Sequence, residues 1–410
     1  MQIWHDLLGI DVLENDQRPE TVFPDFLNPE AVRKIWNFHR SVPGYRPTPL
    51  IELRAMAARW KIKGVFIKDE SQRFGLNSFK ALGGIYALSR ILGRELGVES
   101  DQLRFNELLK PEFKDHIRQK VFATATDGNH GRGVAWSAAQ LGADSVIFMP
   151  VGSSPYRCQK IREAGAREVI VTDMSYDDTV RLAAKTAAAN GWTLVQDTSW
   201  PGYEEIPLWI CQGYTTMAYE AGEQLLAAGV AQPTHAFLQA GVGSMAGGIL
   251  GYLHQRYWSV PPITSIIEPS QVACVYASAL ANDGKTHAVS GVQHTIMAGL
   301  NCGETCTVVW PILRDLAAYY FTCPDFVAAR GMRLAAHPLG GDPAWVSGES
   351  GAVPLGLLSL ILERPELEPI KKAMGFNSDS VVLLFSTEGN TDPDTYEAVL
   401  FDGAYPTPVK

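Results

Sequence analysis

Short apolar runs rich in β-branched residues alternate along the chain with longer segments of helical character, and this alternation limits the possible folds most. Eight runs have the length and composition of buried strands. They are 64–68, 121–124, 145–149, 168–172, 193–196, 236–239, 264–267 and 381–385. Helices are predicted over 80–96, 130–141, 156–164, 177–189, 208–228 and 246–257. The pattern predicts an α/β fold with mostly parallel open sheets flanked by helices.

Length and charge narrow the class of protein. The 410 residues suffice for two or three domains, and the net charge of −9 makes nucleic acid and anionic membranes poor partners. Six cysteines without zinc-like spacing predict free thiols, no metal site and a reducing compartment. Because neither a signal-peptide pattern nor a membrane-length apolar run occurs, we expect a cytoplasmic protein.

A lysine stands at the predicted start of the first helix. A polar turn follows strand 64–68, and Asn77 and Ser78 are suited to cap a helix, which puts Lys80 in the first helical turn. The helix dipole disfavours an ammonium there, so we expect the pKa of Lys80 to be lowered and its amine to be nucleophilic. A solvated surface lysine without a function is the alternative.

A second motif follows strand 121–124 and opens the next helix. The turn formed by Thr126, Asp127, Gly128 and Asn129 offers backbone N–H groups to an anion such as a carboxylate. An ordinary turn that uses Asp127 or Asn129 as a helix cap explains the same residues equally well.

The third motif is the glycine-rich segment 241–248, which again follows a strand and opens a helix. Its glycines allow a phosphate to approach the backbone, and the helix start favours the negative charge. The spacing is close to a dinucleotide fingerprint, but three residues precede Gly247 where that fingerprint has two. Glu268 ends the next strand, near the position of a ribose-binding acid, so an NAD(P)-dependent dehydrogenase is an alternative.

A hydroxyl group completes the set, because Thr387 follows the strand 381–385. All four motifs come where strands end, which is the edge at which open α/β sheets bind ligands. An amine, two anion-binding turns and a hydroxyl together suit a phosphorylated aldehyde cofactor, and pyridoxal phosphate fits that description. A dehydrogenase would have no use for Lys80.

These motifs resemble those of the fold-type II pyridoxal-phosphate enzymes, the superfamily of threonine dehydratase and the tryptophan synthase β chain. Ser78-Phe79-Lys80 resembles the lysine motif, Gly128-Asn129-His130 the asparagine loop, and 241–248 the phosphate-binding loop. A closer similarity, from about Arg46 to Asp392, is to the diaminopropionate ammonia-lyase family. The segments that carry it are 44–50, 68–71, 73–77, 126–136 and 347–352.

The resemblance implies a pyridoxal-phosphate enzyme that converts D- and L-2,3-diaminopropionate into pyruvate and ammonia. It implies that Lys80 holds the cofactor and that Asn129 and Thr387 contact the cofactor ring. The residues that would bind the phosphate are Gly241, Val242, Gly243, Ser244 and Met245. The residues that would bind substrate are Ser78, Thr126, Asp127 and Gly128.

The organisation of the molecule is also implied by the resemblance. We expect a homodimer of two-domain subunits. The large, discontinuous domain is expected over 1–90 plus 205–410, and the small domain over 91–204.

Asp127 departs from the dehydratases, which usually have a serine at this point. A carboxylate there repels a substrate carboxylate but attracts a second ammonium, which favours a diamino acid. We assign proton removal from the L-isomer to Lys80 and from the D-isomer to Asp127. The alternatives are a serine/threonine dehydratase and a non-catalytic ligand-sensing protein of the same fold, against which Lys80 argues.

Four further residues are expected near the site. Glu349 and Ser350 are expected to line it, without a defined role. Cys274 and Cys302 follow segments near the predicted substrate entrance, and we hypothesise that they form a redox-sensitive pair. Two separate buried thiols are the alternative.

Overall fold

The computed structural model describes residues 2–16, 24–290 and 294–408. The strands in these ranges are β1 (Gln2–Leu7), β2 (Ile10–Glu14), β3 (Leu50–Glu52), β4 (Gly64–Asp69), β5 (Val121–Ala125), β6 (Asp144–Met149), β7 (Glu168–Val171), β8 (Thr193–Leu194), β9 (His235–Gln239), β10 (Ile263–Pro269), β11 (Tyr319–Cys323) and β12 (Val381–Ser386). The helices are α1 (Pro29–Arg40), α2 (Arg54–Trp60), α3 (Lys80–Glu95), α4 (Phe105–Leu108), α5 (Lys114–Arg118), α6 (Asn129–Leu141), α7 (Pro155–Glu163), α8 (Tyr176–Asn190), α9 (Glu205–Ala227), α10 (Ser244–Arg256), α11 (Cys274–Ala281), α12 (Trp310–Leu316), α13 (Asp325–Ala336), α14 (Glu349–Glu363), α15 (Glu368–Ala373) and α16 (Pro393–Leu400).

The larger sheet has eight strands in the order β1-β2-β11-β10-β9-β12-β4-β3. The five strands from β11 to β4 in this order run parallel, whereas β1, β2 and β3 pair antiparallel at the edges. In the parallel part, Val382 of β12 lies opposite His235 of β9 on one side and Val65 of β4 on the other. The carboxyl ends of these three strands therefore reach the same edge of the sheet.

The smaller sheet has four parallel strands in the order β7-β6-β5-β8. Ala123 and Val146 pack with Ala183 of α8 in an apolar cluster on one face. Phe122 and Ile147 belong to the main apolar core instead. Since successive strand side chains point to opposite faces, this alternation means that both faces of the small sheet are covered.

The central strands of the large sheet are also buried on both faces. Leu383 and Phe385 of β12 belong to the core that includes residues of α3, α9 and α10. Val382 and Leu384 belong to a second core that includes residues of α13 and α14. This double burial explains why the strand sequences are continuous apolar runs without polar alternation.

A buried ionic network fixes the segment that joins β4 to α3. Lys68 Nζ lies 2.6 Å from Glu220 Oε2, and Arg73 Nη2 lies 2.8 Å from the same carboxylate oxygen. Arg73 Nε also donates to Glu70 Oε2 at 2.8 Å. All four side chains are buried, and Glu220 belongs to α9. The network therefore ties the strand end that precedes Lys80 to the long helix behind it.

The predicted α/β architecture, with mostly parallel sheets flanked by helices, is confirmed. Each of the eight predicted strands and six predicted helices is present within a few residues, whereas β1, β2, β3 and β11 were not predicted. The division into domains over 1–90 plus 205–410 and 91–204 stays a prediction. No helix in the described ranges is long and apolar enough to cross a membrane.

Candidate active site

The carboxyl ends of strands from both sheets surround one cavity of about 840 Å³. The amine, the two anion-binding turns and the hydroxyl that the sequence predicts all lie on its wall. The predicted residues that line it are Lys80, Thr126, Asp127, Gly128, Asn129, Gly241, Val242, Gly243, Ser244, Met245 and Thr387. The four motifs therefore form a single site.

Ser78 is the predicted site residue that does not line this cavity. It is buried, and its Oγ accepts a hydrogen bond from the backbone N–H of Lys80 at 3.4 Å. Helix α3 begins at Lys80 with Phe79 at the cap position, so neither Asn77 nor Ser78 is the cap. Ser78 thus supports the start of α3, and its position gives no support to a direct contact with substrate.

Lys80 forms a buried ion pair across the cavity. Its Nζ lies 2.5 Å from Oδ2 of Asp197, a residue that follows β8 of the small sheet. Burial by itself lowers the pKa of Lys80, but the charge and the hydrogen bond of Asp197, together with the nearby Tyr214, outweigh burial and raise the pKa above its ordinary value. The predicted lowering of this pKa is therefore wrong, because a counter-ion in direct contact outweighs the partial charge of a helix end.

Asp197 connects several elements around the site. Burial alone would raise its pKa, but the neighbouring His130 and Lys80 side chains lower it to about 2. His130 Nδ1 lies 3.7 Å from the carboxylate, and Ser244 Oγ donates to the Asp197 carbonyl oxygen at 2.7 Å. Asp197 therefore stays ionised and lies where α3, α6 and α10 begin.

The turn before α6 is held by its own threonine. Thr126 Oγ1 accepts hydrogen bonds from the backbone N–H groups of Gly128 at 2.9 Å and Gly131 at 3.0 Å. Gly128 has φ +153°, a conformation that other residues rarely adopt. Helix α6 begins at Asn129, and Gly128 occupies its cap position. The interpretation of Asp127 or Asn129 as a helix cap is therefore wrong.

Asp127 presents a second titratable group to the same cavity as Lys80. Burial raises the pKa of its carboxyl and the Arg157 guanidinium partly opposes the rise, which leaves the pKa at about 7. A carboxyl with that pKa can accept or release a proton near neutral pH. The cavity thus contains a carboxyl able to act as a base near neutral pH, and it lies on the same wall as the Lys80 amine.

The glycine turn before α10 supplies an anion site. The backbone at Gly243 has φ +92°, and a Cβ there would lie only 2.7 Å from Leu313 Cδ1. The first helical bond of α10 runs from Gly247 N to Gly243 O. The amides of residues 244–246 precede that bond, so they are available to an anion at the helix start.

Glu268, the residue that favoured a dinucleotide site, is engaged elsewhere. Its carboxylate accepts the backbone N–H groups of Val275 at 2.8 Å and Tyr276 at 2.6 Å, at the start of α11. It is buried and does not line the cavity. The dehydrogenase alternative therefore loses its ribose-binding acid.

Thr387 keeps a proton to donate, because its Oγ1 already accepts a hydrogen bond. The donor is Gln239 Nε2, at 2.9 Å. The cavity thus offers an amine at Lys80 for an aldehyde, free amides at 244–246 for a phosphate, and a hydroxyl at Thr387 for a ring nitrogen. These residues fit pyridoxal phosphate.

The four further residues expected here lie close to the cavity. Ser350 lines it, whereas Glu349 is buried beside it. Cys274 Sγ lies 3.7 Å from the Gly241 carbonyl oxygen, and Cys302 Sγ lies 3.2 Å from the place where a Gly241 Cβ would be. Both cysteines are free thiols, and their pairing under oxidising conditions stays a prediction.

Several lining residues were not found from the sequence. Asp197 follows the predicted strand 193–196, so the rule that strand ends bind ligands would have found it. Glu388 adjoins Thr387 and could have been found in the same way. Arg157 of α7 gives no such signal, although its Nη2 lies 3.1 Å from Asp392 Oδ2 at the start of α16.

Comparison with known proteins agrees with this site. The family model described as pyridoxal-phosphate dependent enzyme matches residues 42–379. Diaminopropionate ammonia-lyase of Salmonella typhimurium is 47% identical over 378 residues, which cover 92% of this chain and 93% of that protein. The Escherichia coli protein of the same name is 47% identical over 399 residues, which cover 97% and 98%.

Solved structures agree as well. The selenomethionine holo form of the E. coli diaminopropionate ammonia lyase matches with a TM-score of 0.91 and 44% identity over 100% of both chains. The same enzyme in complex with an aminoacrylate–PLP azomethine reaction intermediate matches with a TM-score of 0.89, over 97% of this chain and 98% of that one. The chain therefore belongs to the pyridoxal-phosphate-dependent enzymes and, among them, to the diaminopropionate ammonia-lyase family.

Proposed function

We propose that this chain uses pyridoxal phosphate to eliminate ammonia from the D and L forms of 2,3-diaminopropionate. Together with one molecule of water, each substrate molecule gives one pyruvate and two molecules of ammonia. The observation that carries the proposal is that the Lys80 amine and the Asp127 carboxyl lie on the wall of one cavity that also fits the cofactor. The relatives of this name, 47% identical over nearly the whole chain, support the same activity.

The cofactor is assigned to residues on three strand ends. Lys80 would hold its aldehyde carbon, Asn129 its ring oxygen and Thr387 its ring nitrogen. The phosphate would be bound by the turn made of Gly241, Val242, Gly243, Ser244 and Met245. When bound, this cofactor supplies an electron sink that makes the α-proton of an amino acid acidic.

Lys80 and Asp127 each remove the α-proton from one enantiomer of the substrate. Lys80 Nζ takes the α-proton from the L-isomer, and Asp127 takes it from the D-isomer. A base that reaches the α-proton on one side of the substrate cannot reach an α-proton on the opposite side. A second base on that opposite side therefore allows the other enantiomer to react. The pKa of Asp127, about 7, suits a base that works near neutral pH.

Charge on the cavity wall selects a substrate with two amines. In the turn 126–129 the amides of Thr126 and Gly128 donate within the fold, which leaves those of Asp127 and Asn129 for the substrate carboxylate. The Asp127 side chain attracts the second ammonium. A hydroxyl amino acid lacks that ammonium, which disfavours a serine or threonine dehydratase. The tomato threonine dehydratase is 33% identical over only 34% of this chain, which agrees with that distinction.

The activity is tested by a pyruvate assay with each enantiomer of diaminopropionate and with L-serine and L-threonine. We expect turnover of both enantiomers and slower turnover of the hydroxyl amino acids. Borohydride reduction followed by peptide mapping should find the pyridoxyl group on Lys80. Serine turnover faster than that of diaminopropionate, or label on another lysine, would overturn the proposal.

The oligomeric state, the compartment and the substrate class are part of the same proposal. The enzyme is assigned as a homodimer in the cytoplasm, with a small-molecule amino acid as its substrate. Light scattering of the eluted holoenzyme should give twice the 44.8 kDa mass of one chain, and a monomer would contradict the assignment.

A further inference from the structure

Glu388 lies between residues of three separate segments at the cavity wall. Its Oε2 accepts a hydrogen bond from Asn129 Nδ2 at 2.5 Å and one from Thr391 Oγ1 at 3.4 Å. Its Oε1 accepts the backbone N–H of Ser350 at 3.0 Å. The side chain is 4% exposed and lines the cavity. The carboxylate thus links α6 of the small sheet to α14 and the end of β12.

Backbone contacts tie the same residue to the lysine segment. Glu388 forms an antiparallel bridge with Ser78, and Phe79 N donates to Thr387 O at 3.1 Å. Gly348 N donates to Glu388 O at 3.0 Å. Glu388 is therefore fixed relative to Lys80, and whatever it holds through its side chain is fixed as well.

A second buried carboxyl stands beside it. Glu349 is 2% exposed, and its Oε1 has no hydrogen-bond partner in the part of the chain that the structure describes. The charged and titratable groups that face it are Glu388, Arg157 of α7, Asp392 at the start of α16, and Tyr396 of α16. Burial and the Glu388 charge raise the pKa of Glu349 to about 8, so Glu349 is mostly neutral at pH 7.

We propose that Glu388 is a positioning residue, whose carboxylate fixes the Asn129 amide for the cofactor, and that the buried Glu349 carboxyl beside it regulates this contact through its own charge. A carboxylate only accepts hydrogen bonds, so it dictates that the NH₂ side of Asn129 faces it. One N–H of the Asn129 amide thereby donates to Glu388, and the other is left to donate to the cofactor. The proposal rests on the cofactor assignment above and does not depend on which amino acid is cleaved.

The first test measures the affinity of cofactor-free protein for pyridoxal phosphate, by fluorescence titration without substrate. Glu388→Gln offers both a donor and an acceptor, so it no longer dictates the orientation of Asn129. We expect about five- to tenfold weaker binding and a shifted absorption maximum of the bound cofactor, since a charged acceptor is replaced by a neutral one. Glu388→Asp keeps the charge with a shorter reach and should bind with intermediate affinity.

Two controls separate this role from a general loss of stability. Glu268→Gln also replaces a buried carboxyl group that accepts two backbone N–H groups, but Glu268 does not line the cavity, so cofactor affinity should be unchanged. Asn129→Ala and the Asn129→Ala/Glu388→Gln double variant complete a cycle. If Glu388 acts through Asn129, the double variant binds as weakly as Asn129→Ala alone.

The second test uses pH and Glu349→Gln. Above about pH 8, Glu349 ionises and puts a second negative charge beside Glu388. Repulsion between the two carboxylates then disturbs the hydrogen bond that Asn129 donates to Glu388. The affinity of the natural protein should then fall relative to that of Glu349→Gln as the pH rises from 7 to 9. Parallel pH curves for the two proteins would overturn the role of Glu349, and additive effects in the cycle would overturn that of Glu388. Because no substrate is present, neither result bears on the elimination reaction.

Discussion

Two aspartates on the wall of the cavity differ widely in acid strength. Asp197 faces the Lys80 ammonium and has a pKa of about 2, whereas Asp127 lacks so close a cation and has a pKa of about 7. Groups whose environments separate their pKa values in this way take different roles. At the scale of single residues, Asp197 acts as a fixed charge and Asp127 as a group that moves protons.

Replacement of Asp127 by asparagine removes the base but keeps the size. We expect D-diaminopropionate turnover to fall on the order of 10²–10⁴-fold, the range typical of a lost general base. L-diaminopropionate turnover should fall less, because Lys80 serves that isomer. Steady-state pyruvate formation from each enantiomer measures both losses, and equal fractional losses would contradict the assignment of two bases.

Replacement of Asp197 by asparagine removes the counter-ion of Lys80. Loss of an opposite charge in contact should lower the pKa of Lys80 by about 1–3 units. The pH dependence of amine labelling at Lys80 in cofactor-free protein, followed by mass spectrometry, measures the shift. Asp127→Asn is the matched control, since it leaves the Lys80–Asp197 pair intact; the same Lys80 pKa in the two variants would disprove the counter-ion role.

At the scale of elements, the βα units followed from the sequence and the edge strands did not. Strand β1 (Gln2–Leu7) is largely exposed, and its partner β2 is held by β11, about three hundred residues away along the chain. No local pattern marks such a pairing, because long-range contacts stabilise the strands. Strand β3 has only three residues and pairs with β4 in the same way.

The active-site residues show the same difference between local and long-range signals. Lys80, Asn129, Gly243 and Thr387 were found because each follows a strand whose apolar run is easy to recognise. Asp197 also follows a predicted strand and could have been found in the same way. Its contact with Lys80 could not, since the two residues are 117 positions apart and meet only through packing of the two sheets. The direction of the Lys80 pKa was therefore wrong, because local sequence contains the helix end but not the counter-ion.

The ionic network behind Lys80 should contribute to stability in a pH-dependent way. Burial alone would raise the pKa of Glu220, but Arg73 and Lys68 lower it to about 2, from an ordinary 4.5. A lowered pKa means that the stabilisation is complete above about pH 4.5 and is lost as the pH falls towards 2. Glu220→Gln should destabilise the protein by about 3–5 kcal/mol at pH 7, because two buried cations lose a partner.

Urea unfolding at pH 7 and at steps down to pH 3 measures this effect. The difference between the natural protein and Glu220→Gln should shrink below pH 4.5. Glu223→Gln is the matched control, since Glu223 lies on the same helix but forms a half-exposed ion pair with Arg256, for which we expect about 1 kcal/mol or less. A difference that grows on acidification would refute the assignment.

At the scale of the whole molecule, the cavity is built by both sheets together. Side-chain contacts that join them there include Lys80 with Asp197, Asn129 with Glu388, and Arg157 with Asp392. A ligand that fills the cavity touches both sides, so its binding energy stabilises their mutual arrangement as well as the fold of each. Cofactor binding should therefore raise the stability of both sheets together.

Removal of the cofactor should lower the thermal stability of the entire chain. Cofactor at about 100 times its dissociation constant adds about 2.7 kcal/mol to the native state. Differential scanning calorimetry of natural protein with and without pyridoxal phosphate should show the full transition moving together. Lys80→Ala should show a smaller shift, and a shift confined to one of two resolved transitions would contradict a cavity shared by both sheets.

The pairing of Lys80 with Asp197 has a consequence for how the enzyme matures. A buried ammonium or carboxylate without a partner would oppose closure of the two sheets. Each charge satisfies the other instead, so the polypeptide can complete its folding before any cofactor arrives. Folding of the chain and loading of the cofactor can thereby be separate events.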